Sequence, residues 1–124
     1  MKLDHINIKA PAELLDREKQ FFLDLLGLTE GARPAFSSRG YWLYAEGKPV
    51  VHLSVSDQHY ASKRQGYFDH VAFRSSGLGD FLRRLDAAGV EHNRGYVEAC
   101  NMTQIFLRSP TGTRIEVNFV DEYL

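Results

Sequence analysis

The sequence predicts an α+β protein built from two copies of one unit, each a strand, a helix and three further strands. Three observations carry this. Leu3-Asp4-His5-Ile6-Asn7-Ile8 near the start returns as Phe68-Asp69-His70-Val71-Ala72-Phe73, with an apolar residue, Asp, His and then alternation. Each copy is followed by a run of helical spacing that stops at a glycine, Gly27 in one case and Gly89 in the other. The landmarks also keep a nearly constant offset: His70 repeats His5 at 65 positions, Gly89 repeats Gly27 at 62, and Glu116 takes the place of His52 at 64.

The first copy opens with a strand over Leu3 to Lys9, where Ile6 and Ile8 share one face and His5 and Asn7 the other. Pro11 suits a helix start. Leu14, Leu15, Phe21, Phe22, Leu25 and Leu26 then recur at helical spacing up to Gly27. A second strand is expected within Leu28 to Arg33, ended by Pro34. Tyr41 to Ala45 is rich in strand formers. Glu46-Gly47-Lys48-Pro49 is a turn, and Val50 to Val55 is the fourth strand. On that strand Val51, Leu53 and Val55 share a face, and His52 and Ser54 share the opposite one.

Residues 57–66 are polar and without period, and read as a linker. The pattern then restarts with a strand over Phe68 to Arg74 and a helix opened by Gly77 or Asp80 and stopped by Gly89. Strands follow over Glu91 to Val97, Met102 to Arg108 and Arg114 to Val120, with a loop before the second and the turn Ser109-Pro110-Thr111-Gly112 before the third. Ile115, Val117 and Phe119 share one face of the last strand; Arg114, Glu116 and Asn118 share the other. The chain is thus expected to be a single domain over 1–124, with module 1 at 1–56, the linker at 57–66 and module 2 at 67–124.

The first and last strands of each half carry one potential metal ligand apiece: His5 and His52, then His70 and Glu116. Alternation puts all four on the face opposite the Ile/Val/Phe residues. With helices covering the apolar outer faces, the polar faces would line a cavity. A lone strand histidine is more often a hydrogen-bonded structural residue than a ligand. Two matched pairs at repeat-equivalent positions favour the ligand interpretation. Three imidazoles and a carboxylate suit one divalent ion per site, from among Fe, Zn, Ni, Co and Mn, and leave two positions open for substrate on an octahedral ion. His59 and His92 lack the repeat relation and read as surface residues.

The remaining composition is that of an ordinary soluble globular protein, at 124 residues, 44% hydrophobic, 25% charged and net charge −1. No basic excess points to nucleic acid. No apolar run approaches a membrane span, and the N-terminus does not have the layout of a signal peptide. A single cysteine, Cys100, excludes an intrachain disulfide and makes a cytoplasmic setting the default.

The two βαβββ halves, the openings Asp4-His5 and Asp69-His70, and the closing Ser109-Pro110-Thr111-Gly112-Thr113-Arg114-Ile115-Glu116 resemble the vicinal oxygen chelate superfamily. That superfamily includes glyoxalase I, bleomycin-resistance proteins, fosfomycin-resistance enzymes, methylmalonyl-CoA epimerase and extradiol dioxygenases. The resemblance runs from about Leu3 to Val120. It implies curved mixed sheets around a cavity, a divalent metal held by His5, His52, His70 and Glu116, a small-molecule substrate chelated through adjacent oxygens, and a homodimer. The implied reaction is a lyase- or isomerase-like proton transfer. The alternatives are Fe(II) extradiol-type dioxygenation by the set His5, His70 and Glu116, and metal-free binding of a drug or metabolite, as in resistance proteins. His52 stands where glyoxalase I usually has an acidic or amide residue, a departure from that enzyme.

Glu116 is also a catalytic candidate, with Glu98 and Tyr96 as further candidates for acid or base. Tyr41, Leu43, Asn101, Gln104, Phe106 and Arg108 are the candidates for substrate contact. Cys100 has no neighbouring positive charge in sequence to activate it.

Overall fold

The computed structural model describes residues 1–57 and 67–123. Most of the expected linker, with His59, lies outside the described residues. The chain divides into two compact units, Met1–Ser62 and Lys63–Leu124.

In the first unit, β1 (Ile6–Ala10), α1 (Ala12–Asp24), β2 (Thr29–Gly31), β3 (Gly40–Ala45) and β4 (Lys48–Val55) form a four-stranded sheet of order β1-β4-β3-β2 with one helix. The second unit repeats it with β5 (Val71–Ser75), α2 (Leu78–Ala87), β6 (His92–Val97), β7 (Met102–Arg108) and β8 (Arg114–Val120), in the order β5-β8-β7-β6. Each sheet is mixed. The first and last strands of each unit pair in parallel, and the other neighbours are antiparallel. The α+β architecture of two similar modules is therefore the one the repeat predicts. His5 and His70 each stand one residue before their strand rather than within it.

Parallel pairing of β1 with β4 is what a helical crossover permits. Helix α1 delivers it, packing against β1, β3 and β4 with Leu15 and Phe22 fully buried. Leu43, Val51 and Leu53 complete that core at 0% exposure. Gly27, at φ +75°, ends the helical run in the left-handed region that glycine adopts without strain. In the second unit Leu78, Phe81, Leu82 and Leu85 of α2 are buried, as are Ile105, Leu107, Ile115, Val117 and Phe119 of the sheet, and the Phe81 and Phe119 rings lie 5.4 Å apart. The Glu122 carboxylate accepts hydrogen bonds from the backbone N–H groups of Gly77 and Leu78 at 3.0 and 2.8 Å. It satisfies two of the open donors at the start of α2 and places a negative charge at the positive end of the helix. Among the described residues no helix is long and apolar enough to cross a membrane.

Strand parity fixes which side chains stand away from the helix. In the first unit the register sets Asn7, Trp42 and His52 on one face and Ile8, Leu43 and Val51 on the other. In the second, Ala72, Gln104, Phe106, Glu116 and Asn118 share the polar face, while Phe73, Ile105, Ile115 and Val117 turn to the helix.

Candidate metal-binding faces of the two modules

The two Asp-His openings adopt the same local arrangement. Nδ1 of His5 bonds Asp4 Oδ2 at 2.6 Å, and Nδ1 of His70 bonds Asp69 Oδ2 at 2.7 Å. Both carboxyls are held below the usual carboxylate range, first by the histidine hydrogen bond. Arg114, ion-paired to Asp69, adds to the effect there. An ionised carboxylate at Nδ1 makes that nitrogen the donor and leaves Nε2 as the nitrogen with a free lone pair.

In the second unit that free nitrogen has a destination. His70 Nε2 lies 2.9 Å from Glu116 Oε2, and the other carboxylate oxygen accepts a hydrogen bond from Gln104 Nε2 at 2.8 Å. Glu116 is only 6% exposed. A lone pair and a carboxylate oxygen at this separation repel unless a positive particle lies between them. A proton or a metal ion meets the need. The spacing also fits an ion: ligand bonds of about 2.1 Å at a right angle put their donor atoms about 3.0 Å apart. His70 and Glu116 thus present two adjacent ligands, each fixed from behind, His70 by Asp69 and Glu116 by Gln104.

The first unit is different. The His5 and His52 rings are stacked, 3.7 Å between centroids and 12° between planes, and His52 stacks in turn on Trp42 at 4.0 Å and 11°. An ion bound by imidazole lies near the ring plane. Two planes this close to parallel meet far beyond a bond of about 2.1 Å, so His5 and His52 do not share one ion in this arrangement. His52 Nε2 bonds the Pro49 carbonyl oxygen at 3.1 Å. Burial, reinforced by the charge of neighbouring His5, holds its imidazole below the ordinary value. His52 is therefore a ring packed between two others, in a setting that disfavours its charged form. Among the described residues no three His, Cys, Asp or Glu side chains are arranged to hold a metal ion. The four expected ligands stand as two pairs, of which the second fits part of a coordination sphere.

Other expected site residues divide by face. Gln104 contacts Glu116, and Phe106 pairs directly with it across the sheet, under the Arg114 guanidinium at 4.8 Å from the ring centre. Arg108 bonds the Gly112 carbonyl oxygen at 2.8 Å and braces the turn before β8. Tyr41 and Leu43 correct the expectation: both lie on the helix side. Tyr41 donates to Asp16 of α1 at 2.6 Å, and Leu43 is wholly buried. Trp42, between them, is the residue on the histidine face. Tyr96 also turns from Glu116; it pairs with Thr103 and donates to Asn101. Tyr96, Asn101, Arg94, Thr103 and Tyr123 line a cavity of about 420 Å³. Glu98 is exposed in the short 3₁₀ turn Glu98–Cys100 before β7. Four residue steps along β7 lead from its start, Met102, to Phe106 opposite Glu116, about 13 Å of strand, so neither Tyr96 nor Glu98 is placed to act there. His92, expected at the surface, is partly buried, with Nδ1 on the Val90 carbonyl oxygen at 2.9 Å.

The fold of two βαβββ modules, each opened by a clamped Asp-His, is shared with solved structures of glyoxalase-family and fosfomycin-resistance proteins. No established family profile matches the chain. Glyoxylase I 4 of Arabidopsis thaliana is 23% identical over 121 residues, covering 93% of this chain and 68% of that protein. A glyoxalase-family protein from Bacillus anthracis superposes with a TM-score of 0.76 at 21% identity, over 97% of this chain and 95% of its own. The fosfomycin-resistance protein FosX of Listeria monocytogenes, in complex with Mn(II) and 1S,2S-dihydroxypropylphosphonic acid, superposes with a TM-score of 0.73 at 16% identity, over 96% of this chain and 92% of its own.

Proposed function

We propose that the protein is a metal-dependent enzyme of glyoxalase type that chelates adjacent oxygens of a small molecule and promotes proton transfer. The observation that carries this is the imidazole of His70 set between two carboxylates, which calls for a cation between Nε2 and Glu116. His70 and Glu116 would hold the ion, His70 through the Nε2 that its Nδ1 bond to Asp69 leaves free. When bound, a divalent ion supplies Lewis-acid polarisation of substrate oxygens and so stabilises negative charge developing on them. The chain's own residues do the positioning. Asp69 fixes the His70 tautomer and ring direction. Gln104 holds one oxygen of Glu116, leaving the other to face Nε2. The Mn(II) seen with FosX supports a hard or borderline divalent ion for this fold.

The test is to load the metal-stripped protein with Mn, Zn, Ni, Co or Fe(II) and offer two substrate classes, hydroxycarbonyl compounds in deuterated water and catechols under oxygen monitoring. Solvent deuterium entering the carbon next to the carbonyl, with no oxygen consumed, supports the proton-transfer assignment. Oxygen uptake on catechols with iron alone replaces it with dioxygenase chemistry, and the absence of stoichiometric metal defeats both.

A further inference from the structure

The polar face of the first unit carries more than its histidines. Next to the His5–His52–Trp42 stack stands Phe36, 52% exposed, with its ring centre 6.1 Å from that of Trp42. Beyond it the Arg33 guanidinium lies 4.9 Å over the Phe36 ring. The run from imidazole to guanidinium is continuous, and Arg33 is near enough to His52 for its charge to weigh against a charged imidazole there.

Arg33 is held but not neutralised. Nη1 donates to the Ser38 carbonyl oxygen at 3.0 Å, and Nη2 reaches Ser38 Oγ at 3.4 Å. Its Nε is buried and has no hydrogen-bond partner. Lys19, Arg83 and Arg114 are paired with carboxylates, whereas among the described residues no carboxylate pairs with Arg33. A half-buried guanidinium without a counter-charge is costly, and its planar fork matches the two oxygens of a carboxylate or phosphonate. An exposed phenyl ring and an indole beside that cation provide a flat apolar wall of the kind that small-molecule sites combine with a few placed polar groups.

We propose that this face binds a small aromatic oxyanion, with Arg33 engaging its charged group and Phe36 and Trp42 flanking its ring. The proposal names a ligand class for this face of the first unit and goes beyond the metal assignment made for the second. Binding itself needs no metal and is measured without it.

Trp42 is the chain's one tryptophan, so its emission reports the site directly. The full chain in EDTA is titrated with benzoate, phenylphosphonate, the neutral isostere benzamide, and acetate. Benzoate or phenylphosphonate should shift or quench the emission saturably and bind at least about tenfold tighter than benzamide and acetate. Arg33→Gln should remove that preference with an unchanged thermal midpoint. Equal binding of benzamide, no saturable response to either aromatic anion, or an undiminished preference in Arg33→Gln overturns the proposal. If Arg33→Gln does not fold, Phe36→Leu decides: it should weaken benzoate binding by about threefold or more while acetate is unaffected, and unchanged benzoate binding refutes the wall. Failure here leaves the His70–Glu116 metal assignment standing, and failure of metal binding leaves this one standing.

Discussion

Replacing Glu116 by glutamine separates a cation-binding glutamate from a structural one. The side chain is 6% exposed and meets two partners, Gln104 at 2.8 Å and His70 Nε2 at 2.9 Å. In Glu116→Gln the amide oxygen still accepts from Gln104, and the amide N–H₂ donates to the free lone pair of His70. Every buried polar group keeps a partner, so the stability change should stay within about 1 kcal/mol. The metal position is lost, because the anionic ligand is gone and Nε2 is occupied. Affinity should fall at least about a hundredfold, roughly 2.7 kcal/mol. In Glu116→Leu the Gln104 amide is left without its acceptor, and about 1–3 kcal/mol of stability should go with it. Urea unfolding of the metal-free proteins gives the stabilities, and calorimetric titration gives the affinities. Wild-type metal affinity in Glu116→Gln, or equal destabilisation by glutamine and leucine, refutes the reasoning.

Other expectations follow from single contacts. Leu43→Ala empties a site of 0% exposure and should cost about 2–5 kcal/mol in urea unfolding without altering metal affinity. Gly40→Ala should cost about 1–3 kcal/mol, since a Cβ there would lie 2.0 Å from the Leu53 carbonyl oxygen and the strands would have to shift. His52 is held below its ordinary pKa of 6.5 by burial and by His5. The unfolded chain therefore takes up the proton first, so this contribution to stability is complete above pH 6.5 and fades as pH falls through the lower folded value. His52→Phe should flatten that part of the metal-free stability profile; an unchanged slope would remove the assignment.

The modules were legible because a repeat is a long-range signal that needs no tertiary knowledge. The polar faces of β4 and β8 were equally legible, since Val51-His52-Leu53-Ser54 and Ile115-Glu116-Val117-Asn118 alternate cleanly. On β3 the same logic fails. Tyr41-Trp42-Leu43-Tyr44 is apolar or aromatic at both parities, so the pattern does not say which side faces the helix. Pairing of Trp42 with His52 decides it. The stack of His5 on His52 depends on the parallel register of β1 with β4, which spacing alone leaves undetermined. The Asp-His dipeptides stood out by repetition, whereas their chemical role, a carboxylate that commits Nδ1 and frees Nε2, is a matter of distance. Tyr96 stands on β6 and Glu98 in a 3₁₀ turn rather than an open loop, and that geometry carries both away from Glu116.

The most direct measurement is calorimetric titration of the EDTA-treated full chain with Mn(II) and Zn(II), repeated in buffers of different ionisation enthalpy. One ion per chain should bind, releasing protons as the cation position at His70 Nε2 and Glu116 is taken over by metal. His70→Ala and Glu116→Ala should abolish binding, and His52→Phe should retain it. No bound ion in the wild type, or binding that survives His70→Ala, would contradict the assignment.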